Sequence, residues 1–557
     1  MTTLRSTAAL VLLASCLAAQ RVALRIDGVT AGNQLGRSVA GIGDMDHDDR
    51  DEVIVGAWQG GMIGAGYARV VIASTGAVLR HFDGDSTGDE FGRAVGAAGD
   101  FDGDGYVDVV IGAPGDDDGA LDAGTASVFS GRTGYVLAKF VCPEAGAAFG
   151  WRVDGAGDLD GDGYDDVLIG APLHDVGTIA DAGRAFAYSG RTHALLRSWS
   201  GTRPGEQLGH GLAIVGDLDG DLLDDVALGS PMWELVGDHD HGRVQAFAGR
   251  TGTVLLELRG VEEDEYLGWS VGRGGDLDGV LASRIVVGRP QYPSGDRRGR
   301  ALVSPGDWPP LYGRDLSGAF FGCAVSGAGD VDGDGHDDLI IGAYGDRSVA
   351  TNAGAAHVIS GRTRAALAVV DGTNAGDWLG FAVDGAGDID GDGRDELVVG
   401  VPFADGRGVD AGAALIYDFD LPGSAARALR RGSACAHLNR RLPHIGWIGH
   451  PKVGHGFELR LRGTLAGAPV VLNLGRPVDV DLAVYGMPGC RLLAEMGLVS
   501  VLLAANGFGT ATSTPIAIPD VSALVGYAFA AQWVCAEPGV NPMGVVLSDS
   551  VILVIGA

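Results

Sequence analysis

Six cysteines in 557 residues are too few for a disulfide framework, and Cys16 falls within an apolar stretch near the start. No Cys-x-x-Cys pair occurs, which removes the commonest zinc arrangements. After residue 17 no apolar run is long enough to cross a bilayer as a helix, and residues 498–505 reach only strand length. Helical periodicity is nearly absent beyond the N-terminus. Positive charge is scarce: 40 Lys and Arg stand against 72 Asp and Glu, a formal net charge of −32. Such a surface repels nucleic acid and anionic membrane and suits cations. From residue 421 onward 10 Lys and Arg face 7 Asp and Glu, a net of +3, so the remainder carries −35.

What is abundant is glycine, 95 residues, which with 21 prolines makes 116 of 557. With 46% hydrophobic residues, this points to folded β-structure with many tight turns rather than low complexity. One pattern recurs seven times: a Phe/Leu-Gly opening, an acidic loop, and an apolar run ending near Gly-Ala-Pro. Its first acids are Asp44, Asp100, Asp158, Asp217, Asp276, Asp330 and Asp388, at steps of 56, 58, 59, 59, 54 and 58 residues. A period of that size sets the architecture before any chemistry is considered. Each unit reads as four strands, illustrated by residues 91–95, 109–112, 126–131 and 136–141. The second run has no polar alternation, as suits a strand buried on both faces. Seven such units predict an all-β, seven-bladed propeller over residues 20–420. The seventh unit lacks its fourth strand. Residues 22–28 match residues 367–372 in type, so the N-terminal strand is expected to complete that blade.

The acidic loops have the spacing calcium needs. Calcium takes six to eight oxygen ligands, which D-x-D-x-D-G-x-x-D/E supplies from positions 1, 3, 5 and 9 and from the carbonyl at 7. Four loops fit in full: Asp100, Asp102, Asp104, Tyr106 and Asp108; Asp158, Asp160, Asp162, Tyr164 and Asp166; Asp330, Asp332, Asp334, His336 and Asp338; Asp388, Asp390, Asp392, Arg394 and Glu396. The first loop offers Asp44, Asp46, Asp48, Arg50 and Glu52, with Asp49 where Gly is expected; Asp tolerates the left-handed region. The fourth offers Asp217, Asp219, Asp221, Leu223 and Asp225, but Leu222 at the glycine position predicts weaker binding. In the fifth, Val280 and Arg284 replace the later ligands of Asp276 and Asp278, so no calcium is expected and Arg284 is a candidate fixed cation. About six structural Ca²⁺ sites are therefore expected, each joining two strands of one blade.

These motifs resemble FG-GAP repeats, those of the integrin alpha-subunit propeller, over roughly residues 21–420 and most specifically in repeats two, three, six and seven. The resemblance implies calcium on one face and ligand-binding loops on the opposite, upper face, here including residues 115–124, 233–241 and 372–378. A transmembrane helix and a long leg region are not seen, so partnership with an integrin beta subunit is not expected. Residues 1–19 read as an export signal with Arg5 as its charge; Leu13-Ala14-Ser15-Cys16 also resembles a lipoprotein box, which would leave Cys16 lipidated. Residues 421–453 read as a linker segment and 454–557 as an all-β, sandwich-like domain similar to C-terminal domains of secreted bacterial repeat proteins. Among the last three cysteines of the chain, Cys435, Cys490 and Cys535, one bridge is plausible in an exported chain, while Cys323 reads as a core residue.

Other features have plain readings. His239-Asp240-His241 reads as a solvated polar loop before a metal site, and His437, His444, His450 and His455 match no zinc spacing. Trp58, Trp233, Trp378 and Tyr266 fit either sugar stacking or packing. Paired carboxylates are so widespread that no glycosidase dyad stands out. The expectation is an exported, non-catalytic calcium-binding propeller recognising an extracellular protein or glycan; an enzyme or binding module acting on polysaccharide, and a structural surface protein, are the alternatives.

Overall fold

The computed structural model describes residues 19–420 except 49, 60–63, 222, 235–239, 279–282, 292–297, 307 and 315–317, and beyond 420 it describes strands only. The signal-segment reading thus lies outside the described residues up to 18, as do the side chains of the tail cysteines and histidines. No α-helix occurs among the described residues.

Seven antiparallel sheets follow one another as blades. Blade two is typical: Ala94–Gly99, Asp108–Ala113, Thr125–Phe129 and Val136–Val141, in that order from axis to rim. In six blades all residues of the second strand are buried; blade five, Arg284–Arg289, exposes only its first residue in part. This matches the unbroken apolar runs. The last blade takes its outer strand from the N-terminus: β1 (Ala19–Asp27) pairs antiparallel with Ala413–Asp420, bringing Ile26 opposite Ala414. The ring is closed as the sequence predicts.

Each seam between blades holds its own apolar core, seven clusters in all among the described residues. The two glycines of the repeat explain how blades approach so closely. A Cβ on Gly112 would lie 2.0 Å from the carbonyl oxygen of Gly150 in the next blade, and Gly150 has φ +88°. At the closing seam a Cβ on Gly400 would lie 2.0 Å from the Gly36 carbonyl. Any other residue would force the blades apart.

Two details depart from the sequence reading. The Phe or Leu of the opening dipeptide precedes the first strand of its own blade and bridges the previous one, as Phe91 does to Gly66 and Leu267 to Gly242. Blade five has three strands among the described residues, ending with Arg300–Ser304, and only Leu311 bridges Ala301 at the outer position. The prolines at 305, 309 and 310 explain the missing strand, since proline cannot donate to a ladder.

Beyond residue 420 a five-stranded antiparallel sheet has the order Arg427–Arg431, Val545–Val554, Ala528–Ala536, Pro469–Gly475, Val499–Ala504. Arg427–Arg431 falls within residues 421–453, which the sequence reads as a linker; the other four strands lie within 454–557, read as all-β.

Candidate metal centres

Each acidic loop joins the first strand of a blade to the second, so all lie at one end of the ring. In four loops three carboxylates each offer an oxygen within 4.8 Å of the others: Asp44, Asp46 and Asp48; Asp100, Asp102 and Asp108; Asp158, Asp160 and Asp166; Asp217, Asp219 and Asp225. Such groups of hard oxygens could hold a metal ion.

The backbone explains the convergence. In blade two Gly105 N–H donates to Asp100 (3.1 Å), Asp104 N–H to Asp102 (3.0 Å) and Tyr106 N–H to Asp104 (3.0 Å). Blades six and seven repeat this wrapping around Asp330, Asp332 and Asp334 and around Asp388, Asp390 and Asp392. Gly105, Gly163, Gly335 and Gly393 take the left-handed conformation, φ +86° to +89°, as position 6 requires. Position 4 requires it too: Gly103, Gly161, Gly220, Gly333 and Gly391 have positive φ, and His47 takes the role in blade one. Asp49 and Leu222, on which the two weaker loops were judged, lie outside the described residues.

The last acid is the most buried. Asp108 accepts from the N–H groups of Phe101 (3.1 Å) and Gly131 (3.0 Å), tying the loop to the turn after the third strand. Asp166, Asp225 and Asp338 do the same with Gly190, Gly249 and Gly361. Where that turn lacks the glycine, the acid is the longer Glu52 or Glu396, and Glu52 Oε1 is buried with no hydrogen-bond partner. An orphaned buried oxygen beside Asp44, Asp46 and Asp48 fits a cation.

Burial, with repulsion from the neighbouring acids, pushes these carboxyls up: Asp108 and Asp166 to about 8, Glu52 to about 8, Asp338 to about 9 and Glu396 to about 10. Asp225 and Asp332 rise to about 6 and Asp388 to about 7 for the same reason. Without a counter-cation the loops hold more negative charge than their surroundings solvate.

Blade five has its own cation. Arg284 donates to Asp278 (2.5 Å) and to the Pro305 carbonyl (2.6 Å).

Sequence reasoning missed the acid at position 8. Asp165 Oδ2 accepts from the N–H of Asp100, which opens the loop of the previous blade (2.8 Å), while Asp165 N–H donates back to the Asp100 carbonyl (3.3 Å). Asp224, Asp337, Asp395 and Asp51 do likewise to Asp158, Asp276, Asp330 and Asp388. Val107 and Ser283 occupy this position at the two remaining seams. Also missed was Asp85, Asp89 and Asp116, a cluster at the opposite end of the ring. Lys139 lies 3.2 Å from Asp116 and 2.6 Å from Asp118 beside it.

The other candidates resolve as packing. His241 is buried, not solvated, and His239 lies outside the described residues. Trp233 is buried near Arg203, Arg243 and Arg259; Trp378 packs on Tyr344 and Phe403; Tyr266 meets Trp269 edge-on. Gly268-Trp269-Ser270-Val271-Gly272, which the sequence reading passed over, is spelled like a nucleophile turn, but Ser270 is buried and its hydroxyl accepts from Val325 N–H (2.9 Å).

Comparison with known proteins agrees with this architecture. The FG-GAP repeat family matches residues 91–129, 149–188, 321–359 and 380–417, the cores of blades two, three, six and seven. Integrin alpha-5 of Xenopus laevis is 30% identical over 266 residues, 46% of this chain and 20% of that protein. Integrin alpha-V of Gallus gallus is 28% identical over 256 residues, 45% and 20% respectively, and integrin alpha-8 of Homo sapiens 27% over 328, 55% and 26%. The chain thus spans about a fifth to a quarter of the length of these relatives. Among the described residues no helix is long and apolar enough to cross a membrane. Four of its seven blades thus carry FG-GAP repeats, on a seven-bladed propeller similar in sequence to integrin alpha subunits.

Proposed function

We propose that this chain is an exported, non-catalytic propeller that binds about six structural Ca²⁺ ions at one face and recognises an extracellular or cell-surface protein or glycan with the loops of the other. The observation that carries the reading is the repetition of one convergent acid cluster at blade spacing, with an arginine standing in where the acids lapse. The ligands are the carboxylates and carbonyls named for the six loops, from Asp44 to Glu396. Calcium would supply the charge that the buried last acid of each loop lacks. Residues 1–19 act as the export signal, and residues 454–557 form a second β-domain that serves attachment or packing.

Calcium titration of the metal-stripped protein tests the first half, with about six ions per chain expected. A stoichiometry of one or none defeats it. A glycan and protein binding screen in calcium tests the second half. Turnover of any polysaccharide in that screen would overturn the non-catalytic reading.

A further inference from the structure

The first strands of all seven blades surround an axial cavity of about 290 Å³. At its end opposite the acidic loops lie the residues that follow each opening glycine, and their chemistry is unlike the rest of this acidic chain. Arg37 lies over Phe381 (4.2 Å to the ring centroid) and over Trp58 (4.4 Å). Arg93 lies over Trp58 (4.7 Å) and Trp151 (3.7 Å). Trp151 then meets His210 (centroids 5.6 Å), and His210 meets Trp269 (4.5 Å). Below them Arg152 lines the cavity itself.

Three guanidiniums thus share this mouth. Glu90, which pairs with Arg93 at 2.8 Å, is their one ion-pair partner among the described residues. The local sum is three positive charges less one, or +2, in a propeller whose residues up to 420 carry −35. Neither Arg37 nor Arg152 has a side-chain hydrogen bond or ion pair among the described residues. Stacking occupies the faces of Arg37 and leaves its in-plane N–H edge free. Asp154, two residues beyond Arg152, instead accepts from Ile214 N–H (2.7 Å) and has Arg273 as its nearby cation. Burial, with repulsion from Arg93 and Arg152, pulls Arg37 down to about 9; burial and Arg93 lower Arg152, and burial lowers Arg93 against the pull of Glu90. Burial, with the field of Arg152, takes His210 down to about 3, so it stays neutral, and its Nδ1 donates to the Trp269 carbonyl (3.1 Å).

We propose that this axial mouth is an oxyanion site that takes one carboxylate presented by an acidic side chain of a protein partner. Guanidinium edges bind carboxylate oxygens through paired N–H donors, and an anion here would offset the repulsion among the three arginines. The point-like shape on the axis, inside an aromatic collar, suits a single protruding group. The chain's net charge of −32 repels an acidic polysaccharide while tolerating a lone carboxylate on a neutral or basic partner surface. The site rests on the recognition role proposed for this face and names the chemistry of its centre.

The test is tryptophan fluorescence, because Trp58, Trp151 and Trp269 form the collar. The full chain in calcium is titrated at constant ionic strength with sodium acetate, with a Lys-Gly-Glu-Gly-Lys peptide and with its Gln-for-Glu counterpart. Saturable responses to acetate and to the Glu peptide are expected, at least tenfold weaker for the Gln peptide. Arg37→Met and Arg152→Met are each expected to weaken Glu-peptide binding at least tenfold, while Arg250→Met, exposed at the opposite end, leaves it unchanged. If either mouth variant fails to fold, the Glu/Gln comparison on the native sequence still decides. Equal binding of the two peptides, or no saturable response to acetate, overturns the site without touching recognition by the outer loops, which the partner screen tests separately. Tighter binding of trigalacturonate than of the Glu peptide overturns the protein-partner assignment.

Discussion

Blade two and blade five meet one electrostatic problem with opposite chemistry. Both place two acids at the start of the loop, Asp100 and Asp102 or Asp276 and Asp278. In blade two the ninth position is Asp108, which accepts from Gly131 N–H. In blade five it is Arg284, which donates to the Pro305 carbonyl. The strand register makes these the same peptide unit: Val109 pairs with Phe129 and Ile285 with Ser304, so 130–131 corresponds to 305–306. One blade shows this peptide's N–H to the loop and the other its C=O. Gly306, at φ +128°, permits the reversal. Exchanging acid for base therefore required turning a peptide over, and the blade survives because the loop needs a neutralising charge, not calcium as such. On the calcium reading proposed above, dependence on the ion becomes a property of each blade rather than of the ring.

Chelation is the largest expected break in that comparison. Each ion bound at a hundredfold excess over its Kd stabilises by about 2.7 kcal/mol. Losing six should lower the melting temperature by more than about 10 °C. Hydrogen exchange gives the sharper reading: the amides of Gly105, Gly163, Gly335 and Gly393 should exchange faster in EDTA, and those of the blade-five loop should not. Equal acceleration in blade five would end the distinction.

Arg284→Met attacks the comparison from the other side. Breaking a buried pair costs about 3–5 kcal/mol, and partial exposure of this one reduces that to about 1–3 kcal/mol. Arg284 and Asp278 side chains are 14% and 29% exposed. Urea denaturation should show the same loss with and without EDTA. A loss that calcium restores would mean that blade five binds metal.

Much of this was legible because a repeat fixes register: once Asp100 and Asp158 are aligned, Arg284 stands out as the odd residue in its column. The closing strand was legible because residues 22–28 carry the pattern missing from blade seven. What could not be read was contact across seams. Asp165 sits beside Asp166, a proposed ligand, in sequence, yet its partner is Asp100, 65 residues away in another blade. Arg37, Arg93 and Arg152 come from three successive blades and meet only when those blades pack around the axis. Blade five was expected to be complete because the repeat period carried the reading past Pro305, Pro309 and Pro310.

The seam acid is a smaller lever that asks whether blades communicate. Asp165→Ala removes the acceptor of Asp100 N–H and should cost about 1.5–3 kcal/mol, as for other hydrogen bonds to charged groups. Because Asp337 gives Asp276 the same support, Asp337→Ala should cost a similar amount in the lapsed blade. If only Asp165→Ala weakens calcium binding as well, the seam serves the ion. If neither alters stability, the seam acids are dispensable.

The smallest expected effect lies on the axis, where blade five again lends a cation. Burial raises the carboxyl of Asp154 to about 7 and that of Asp384 to about 6, and Arg273 moderates the first. Unfolded aspartate titrates near about 3.9, so between that pH and about 7 the folded chain holds more protons than the unfolded one. The stabilisation these groups supply is complete at low pH and is lost as pH rises through about 6 and 7. In saturating calcium the melting temperature should therefore carry a downward contribution from pH 5 to 8. Asp154→Asn keeps an oxygen for Ile214 N–H but cannot ionise, so it should reduce that fall by a few degrees. Arg273→Met removes the moderating charge and should steepen it. An unchanged pH profile in Asp154→Asn would show that this carboxyl titrates alike in both states, and would confine the contribution of blade five to the Arg284 loop.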